Sequence, residues 1–250
     1  MPKEKRNFVN GEIYHVVLRR MGNELLFKDI DDYYRGIFYL YECNDKNPVD
    51  LRQRREARAR FKKQLKKLNE GQTFANWKDR REKIVEVLAF CLMPNHIHLL
   101  LRQLKDNGIS KFIQKIASGY ANYFKKKYKI TLKGHFFQDR FTAVHVANED
   151  QLKAIFVYIH TNPVLLMEPK WKENGIKNFQ KVKEFLEEYK WSSYQDYLGK
   201  KNFPSVIEKN FLLKVIGGEK EAQNLITDWL KFKKEVRELL EKCAPISLES

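Results

Sequence analysis

The sequence predicts an α+β fold: a small antiparallel sheet with helices on one face, followed by a helical C-terminal part. Three observations lead there. Two apolar runs, "IVEVLAFCLMP" and "HIHLLLR", are joined by the short turn Pro94-Asn95, as in a hairpin. Strand-like and helix-like segments alternate over the first two thirds of the chain, and the last third is charged and reads as helix throughout.

Taken in order, "EIYHVVLRR" (Glu12 to Arg20) is β-branched and apolar and predicts a first strand. His15 lies inside it, and a lone strand histidine is more often structural than catalytic. "DIDDYYRGIFYLYECN" (Asp29 to Asn44) opens with acids suited to a helix N-terminus and predicts a first helix. "LRQRREARARFKKQLKKL" (Leu51 to Leu68) carries nine basic residues against one acid, Glu56, and marks residues 51–83 as a basic helical insertion.

The hairpin strands from Ile84 to Pro94 and from His96 to Arg102 come next. Apolar residues from Ile109 to Phe124 then recur at spacings of three, four and seven, which predicts an amphipathic helix. Alternation around Phe141, Ala143, His145 and Ala147 predicts a fourth strand. Asn148 is placed to cap a last helix, "EDQLKAIFVYIHTN", with Glu149 and Asp150 in its first turn and Pro163 at its end. The resulting βαββαβ order is the ferredoxin-like, split-βαβ arrangement. Residues 1–165 form this unit, and 166–250 an appended helical subdomain.

The chain has 250 residues, enough for a core domain with an addition, and 48 Lys and Arg against 32 acidic residues give it a net charge of +16. That balance points to a polyanion, with nucleic acid first. Cys43, Cys91 and Cys243 fit no paired spacing and are expected as reduced thiols. The absence of a signal-like start or an apolar run near 18 residues argues against secretion and membrane spanning, so a cytoplasmic, nucleoid-associated protein is expected.

The chemistry centres on "CLMPNHIHLLLR". Residues two apart on a strand share a face, so His96 and His98 can aim at one point, either as two metal ligands or as polar residues on an open face. On the helix closing at Pro163, Tyr158 and Asn162 lie four residues apart on one flank, and His160 lies on the other. Packed on the sheet, that helix presents Tyr158 at the sheet edge, with the Asn162 oxygen as a third ligand. A tyrosine beside a divalent ion can attack a phosphodiester; the other reading of Tyr158 is a packing residue.

The combination of "MPNHIHLLL", "GHFFQDRF", "YIHTNPV" and "WSSY", with "YHVVLRR" as a first strand, resembles the single-tyrosine transposases of the HUH superfamily, most closely the REP-associated tyrosine transposases. The likeness covers roughly residues 10 to 200 in the family's order. It implies a nuclease and strand transferase acting on single-stranded DNA at or beside hairpins formed by palindromes, through a 5′-phosphotyrosine. It implies Mg²⁺ or Mn²⁺ held by His96, His98 and Asn162, and Tyr158 as the nucleophile. Arg140 matches a recurrent family position and is a candidate DNA-contacting or structural residue, whereas Asp139 departs from the glycine or small residue common there.

Further DNA-binding candidates are Arg52, Arg54 and Arg55 in the basic stretch and Lys125, Lys126 and Lys127 at the end of the second predicted helix. A homodimer is a candidate assembly, because family members differ on whose histidines the tyrosine serves. The competing reading is a domesticated, non-catalytic binder of structured nucleic acid.

Overall fold

A computed structural model describes residues 7–22, 24–50, 81–131, 134–138 and 141–231, with single positions at 53, 56, 59, 60 and 79. Its centre is a four-stranded sheet of β1 (Ile13–Arg19), β2 (Val85–Met93), β3 (His96–Gln103) and β4 (Thr142–His145). The strand order is β2-β3-β1-β4 and all three ladders are antiparallel. This is the ferredoxin-like topology expected from the βαββαβ order.

Period-two alternation decides what each face of the sheet carries. Tyr14, Val16 and Leu18 of β1 and Ile97, Leu99 and Leu101 of β3 point into one core. There they meet Ile37 and Leu40 of α1 (Ile30–Glu42) and Phe112 and Ile116 of α2 (Gly108–Tyr128). The two crossover helices therefore share one face. The opposite face belongs to a second core, where Cys91, Met93 and Leu100 meet Ile155, Phe156 and Ile159 of α3 (Glu149–Thr161).

Local chemistry sets these boundaries. Asp29 caps α1 by accepting from the Asp32 amide at 3.1 Å. At α3 the Asn148 side chain accepts from the Gln151 amide at 2.9 Å, while Gln151 accepts from the Ala147 amide at 2.8 Å, a reciprocal lock on the first turn. The turn at Pro94-Asn95 pairs Met93 with His96. Its Pro94 carbonyl accepts from the amides of Leu26 and Phe27, at 2.7 and 3.0 Å, which fixes the tip.

Beyond α3 follow α4 (Val164–Met167), α5 (Trp171–Asn174), α6 (Phe179–Glu188), α7 (Tyr194–Tyr197), α8 (Lys209–Ile216) and α9 (Glu219–Lys231). They cover the second face of the sheet and also close its β2 edge. The Leu92 amide donates to the Trp191 carbonyl at 2.8 Å, and the Ser193 amide donates to the Phe90 carbonyl at 3.0 Å. The Val87 carbonyl accepts from the Glu208 amide at 2.9 Å, the Leu92 carbonyl from the Tyr189 hydroxyl at 2.8 Å, and the Leu88 carbonyl from the Tyr197 hydroxyl. An edge strand normally offers these groups to solvent or to another chain; here the chain's own later segment takes them.

Ser193 is the junction of this seal. Its hydroxyl oxygen accepts from the Phe90 amide at 3.0 Å and lies 2.8 Å from His160 Nε2. His160 Nδ1 donates to the Phe156 carbonyl at 2.8 Å, so Nε2 is the acceptor and Ser193 donates to it. One buried hydroxyl thus ties strand β2 to helix α3. Cys43 and Cys91 are free, buried thiols, and burial pushes the Cys43 pKa up to about 12. Among the described residues no helix is long and apolar enough to cross a membrane.

Replacing Ser193 by Ala should cost about 2 kcal/mol, because it leaves a buried amide and a buried imidazole without their partner. Urea unfolding of the two proteins checks this.

Candidate active site

The site is built on the two central strands and not at the edge of the sheet, where the amphipathic pattern of α3 had put Tyr158. Register makes the difference: β1 pairs with β3 so that Val17 lies opposite His98 and His15 opposite Leu100. His96 and His98 point to the α3 side, and their Nε2 atoms converge to 2.8 Å. The Tyr158 ring stands edge-on to both neighbours, 5.5 Å from the His98 ring at 90° and 5.8 Å from the His15 ring at 79°. A single chain thus brings its own tyrosine onto its own histidines.

The histidines are held by named partners. His96 Nδ1 lies 2.6 Å from the Asn95 carboxamide oxygen, and His98 Nδ1 lies 3.2 Å from His15 Nε2. Burial drives the pKa of His15 and of His96 down to about 3, and for His96 the charges of Arg19 and His15 add to the effect. His98 is held well below its ordinary value by burial first, then by His96, His15, Arg19 and Lys172. All three rings are therefore neutral at neutral pH, the form that offers a lone pair to a metal ion.

Asn162 caps α3, and its Nδ2 donates to the Tyr158 carbonyl at 3.2 Å. Its Oδ1 is buried with no hydrogen-bond partner among the described residues. A buried acceptor left over one turn beyond Tyr158 is the kind of oxygen a cation satisfies. The nitrogen pair fits as well. Two imidazole Nε2 atoms 2.8 Å apart are close enough to be held by one ion together. Among the described residues no group of three or more His, Cys, Asp or Glu side chains converges on one point. His15 does not enlarge the set, because its Nε2 faces His98 Nδ1 and not the Nε2 pair.

Arg52, Arg54, Arg55 and Arg140, with Asp139, lie outside the described residues. Lys125, Lys126 and Lys127 end α2, on the sheet face opposite the histidines. Lys127 is engaged by Asp29 at 2.6 Å and Asp32 at 2.8 Å. Lys126 and Lys127 line a cavity of about 770 Å³ with Arg35, Tyr39, Lys115 and Tyr123.

Two residues at the site went unread in the sequence. His15 looked like an isolated strand histidine, and only the cross-strand register puts it beside His98. Lys172, from α5, stands with its Nζ 5.6 Å from the Tyr158 ring centre, and nothing in "WKEN" signals it.

Residues 53–162 match the family model described as "Transposase IS200 like". The matched segment contains His96, His98, Tyr158 and Asn162; β1 with His15 lies before it and "WSSY" after it. A comparison with curated proteins found no match. Among solved structures, one of a REP-associated tyrosine transposase bound to a REP hairpin matches with 13% identity and a TM-score of 0.48, over 83% of this chain and 92% of that one.

The buried histidines carry a pH signature. His160, like His15 and His96, is depressed to about 3 by burial. Each stays neutral in the folded chain but takes up a proton near pH 6.5 once unfolded, so the unfolded state binds more protons between those limits. Stability is therefore fully present above pH 6.5 and falls as pH drops toward 3. Urea unfolding at pH 5 should give a stability lower than at pH 7.5 by about 2 kcal/mol or more.

Proposed function

We propose that this chain is a single-tyrosine transposase of the HUH type that cleaves and rejoins single-stranded DNA at or near hairpins. The observation that carries the reading is the Tyr158 ring set edge-on at 5.5 Å to His98, whose Nε2 converges with that of His96. The match to the IS200-like family model over the same residues and the charge of +16 support it.

In this reading His96 and His98 hold a divalent ion, Mg²⁺ or Mn²⁺, with Asn162 Oδ1 as a neutral third ligand. The ion would polarise the phosphoryl oxygens and stabilise the charge that builds up on them in the transition state. Tyr158 Oη forms a bond to phosphorus while the bond from phosphorus to the 3′ oxygen breaks. The tyrosine proton ends on that leaving oxygen. The products are a 5′-phosphotyrosine and a free 3′-OH, and the reverse step joins strands without a nucleotide cofactor. Lys172, close over the Tyr158 ring, is placed to neutralise phosphate charge.

One observation favours the second reading, a non-catalytic binder of structured nucleic acid: Tyr158 and both histidines are buried. A phosphodiester reaches Tyr158 only if part of its cover moves, whereas a binder has no such requirement. Incubating the protein with end-labelled hairpin oligonucleotides from palindromes flanking its gene, with Mg²⁺ or Mn²⁺, separates the two. The transposase reading expects a covalent adduct that survives denaturing electrophoresis and drops at least about 10³-fold in Tyr158→Phe. No adduct with any such substrate leaves the binder.

Because Tyr158 stands on its own chain's histidines, an equimolar mixture of His96→Ala and Tyr158→Phe should form no adduct above either variant alone. Recovered adduct in the same gel assay would mean that subunits share the site.

A further inference from the structure

Three histidines, not two, form a continuous buried row across β1 and β3. From Asn95 inward, the carboxamide oxygen can only accept, so His96 carries its proton on Nδ1 and leaves Nε2 bare. His98 Nε2 lies 2.8 Å from that bare nitrogen, so without an ion it must hold the proton of the bond between them. His98 Nδ1 is then bare, and His15 Nε2, at 3.2 Å, must donate to it.

An ion on the two Nε2 atoms reverses this order. His98 Nε2 has to be bare to bind it, its proton moves to Nδ1, and His15 Nε2 has to accept. We propose that His15 is the positioning residue of the metal-binding pair: its Nε2 switches from donor to acceptor as the ion binds, and so turns the bare nitrogen of His98 toward the ion. The inference rests on the metal-centre reading given above. Each ring keeps one proton throughout, so only the proton positions change and none is released.

His15 is built to permit the reversal. Its Nδ1 is buried and has no hydrogen-bond partner among the described residues, so nothing on that side fixes which nitrogen is protonated. His160 provides the contrast within the same chain: its Nδ1 is committed to the Phe156 carbonyl, which locks its Nε2 as an acceptor. A His15 tied in that way could serve only one of the two states. Orientation of a ligating imidazole through its second nitrogen is worth about 10–100-fold in metal affinity.

The test uses the full chain, labelled with ¹⁵N at histidine. Long-range ¹H–¹⁵N correlations in the wild type should place the protons of His15 and His98 on Nε2 without metal, and on Nδ1 with Mg²⁺. Calorimetry with Mn²⁺ should show affinity reduced about 10–100-fold in His15→Phe. His15→Gln, whose amide can donate or accept, should recover most of that loss, with thermal melting used to check that both variants are folded. A His98 already protonated on Nδ1 without metal, or undiminished Mn²⁺ affinity in His15→Phe, overturns this inference and leaves the metal centre standing, whereas ion uptake with His98 Nε2 still protonated overturns both. A wild type that takes up no ion overturns both. Should His15→Phe fail to fold, the wild-type spectra still decide.

Discussion

Everything at the site depends on the parity of one strand. β3 lies between β1 and β2, and its alternate residues serve opposite masters: Ile97, Leu99 and Leu101 fill the core under α1 and α2, while His96, His98 and Leu100 face α3. A slip of one residue would drive two imidazoles into the apolar core and put leucines beneath Tyr158. The apolar side of β3 is therefore what holds the polar side in register. The tight turn at Pro94-Asn95, pinned by the amides of Leu26 and Phe27, fixes where the alternation begins.

Parity places the histidines, and the seal along β2 places the tyrosine. Helix α3 packs on the sheet through Ile155, Phe156 and Ile159, but packing of aliphatic side chains alone tolerates some sliding. The junction of Phe90, Ser193 and His160 removes that freedom with directional bonds. His160 lies two residues beyond Tyr158, so the position of the nucleophile candidate is coupled to a serine that touches no part of the site. In this way the motif "WSSY", which shares no chemistry with phosphoryl transfer, bears on the geometry of "YIHTNPV".

Much of the fold was legible because its signals are local. Alternation in the hairpin strands, the spacing of Ile109 to Phe124, the acids opening the first helix and the cap at Asn148 each act over a few residues, and each element formed close to where they indicated. The pairing of His96 and His98 was legible for the same reason. What stayed hidden depends on contacts across long stretches of chain. The place of His15 beside His98 comes from register with a strand more than eighty residues away. The central position of Tyr158 comes from strand order, and the bonds from Tyr189, Ser193 and Glu208 to β2 span about a hundred residues. The start of helix α8 was not marked either: "KNFLLKVI" is short and has no side-chain N-cap, although Gly217 closes it in the left-handed conformation.

The closed β2 edge has a consequence for how this molecule meets its own copies. A sheet grows by adding strands at an exposed edge, and that same route leads to aggregation. On the β2 side, residues 189–208 already occupy the place an incoming strand would take. The other end of the sheet is β4, only four residues long, which gives a foreign strand little to grip. The helical tail thus keeps the β2 edge from taking up a strand of another copy, and a fragment cut after α3 would lose that protection together with Asn162 and Lys172.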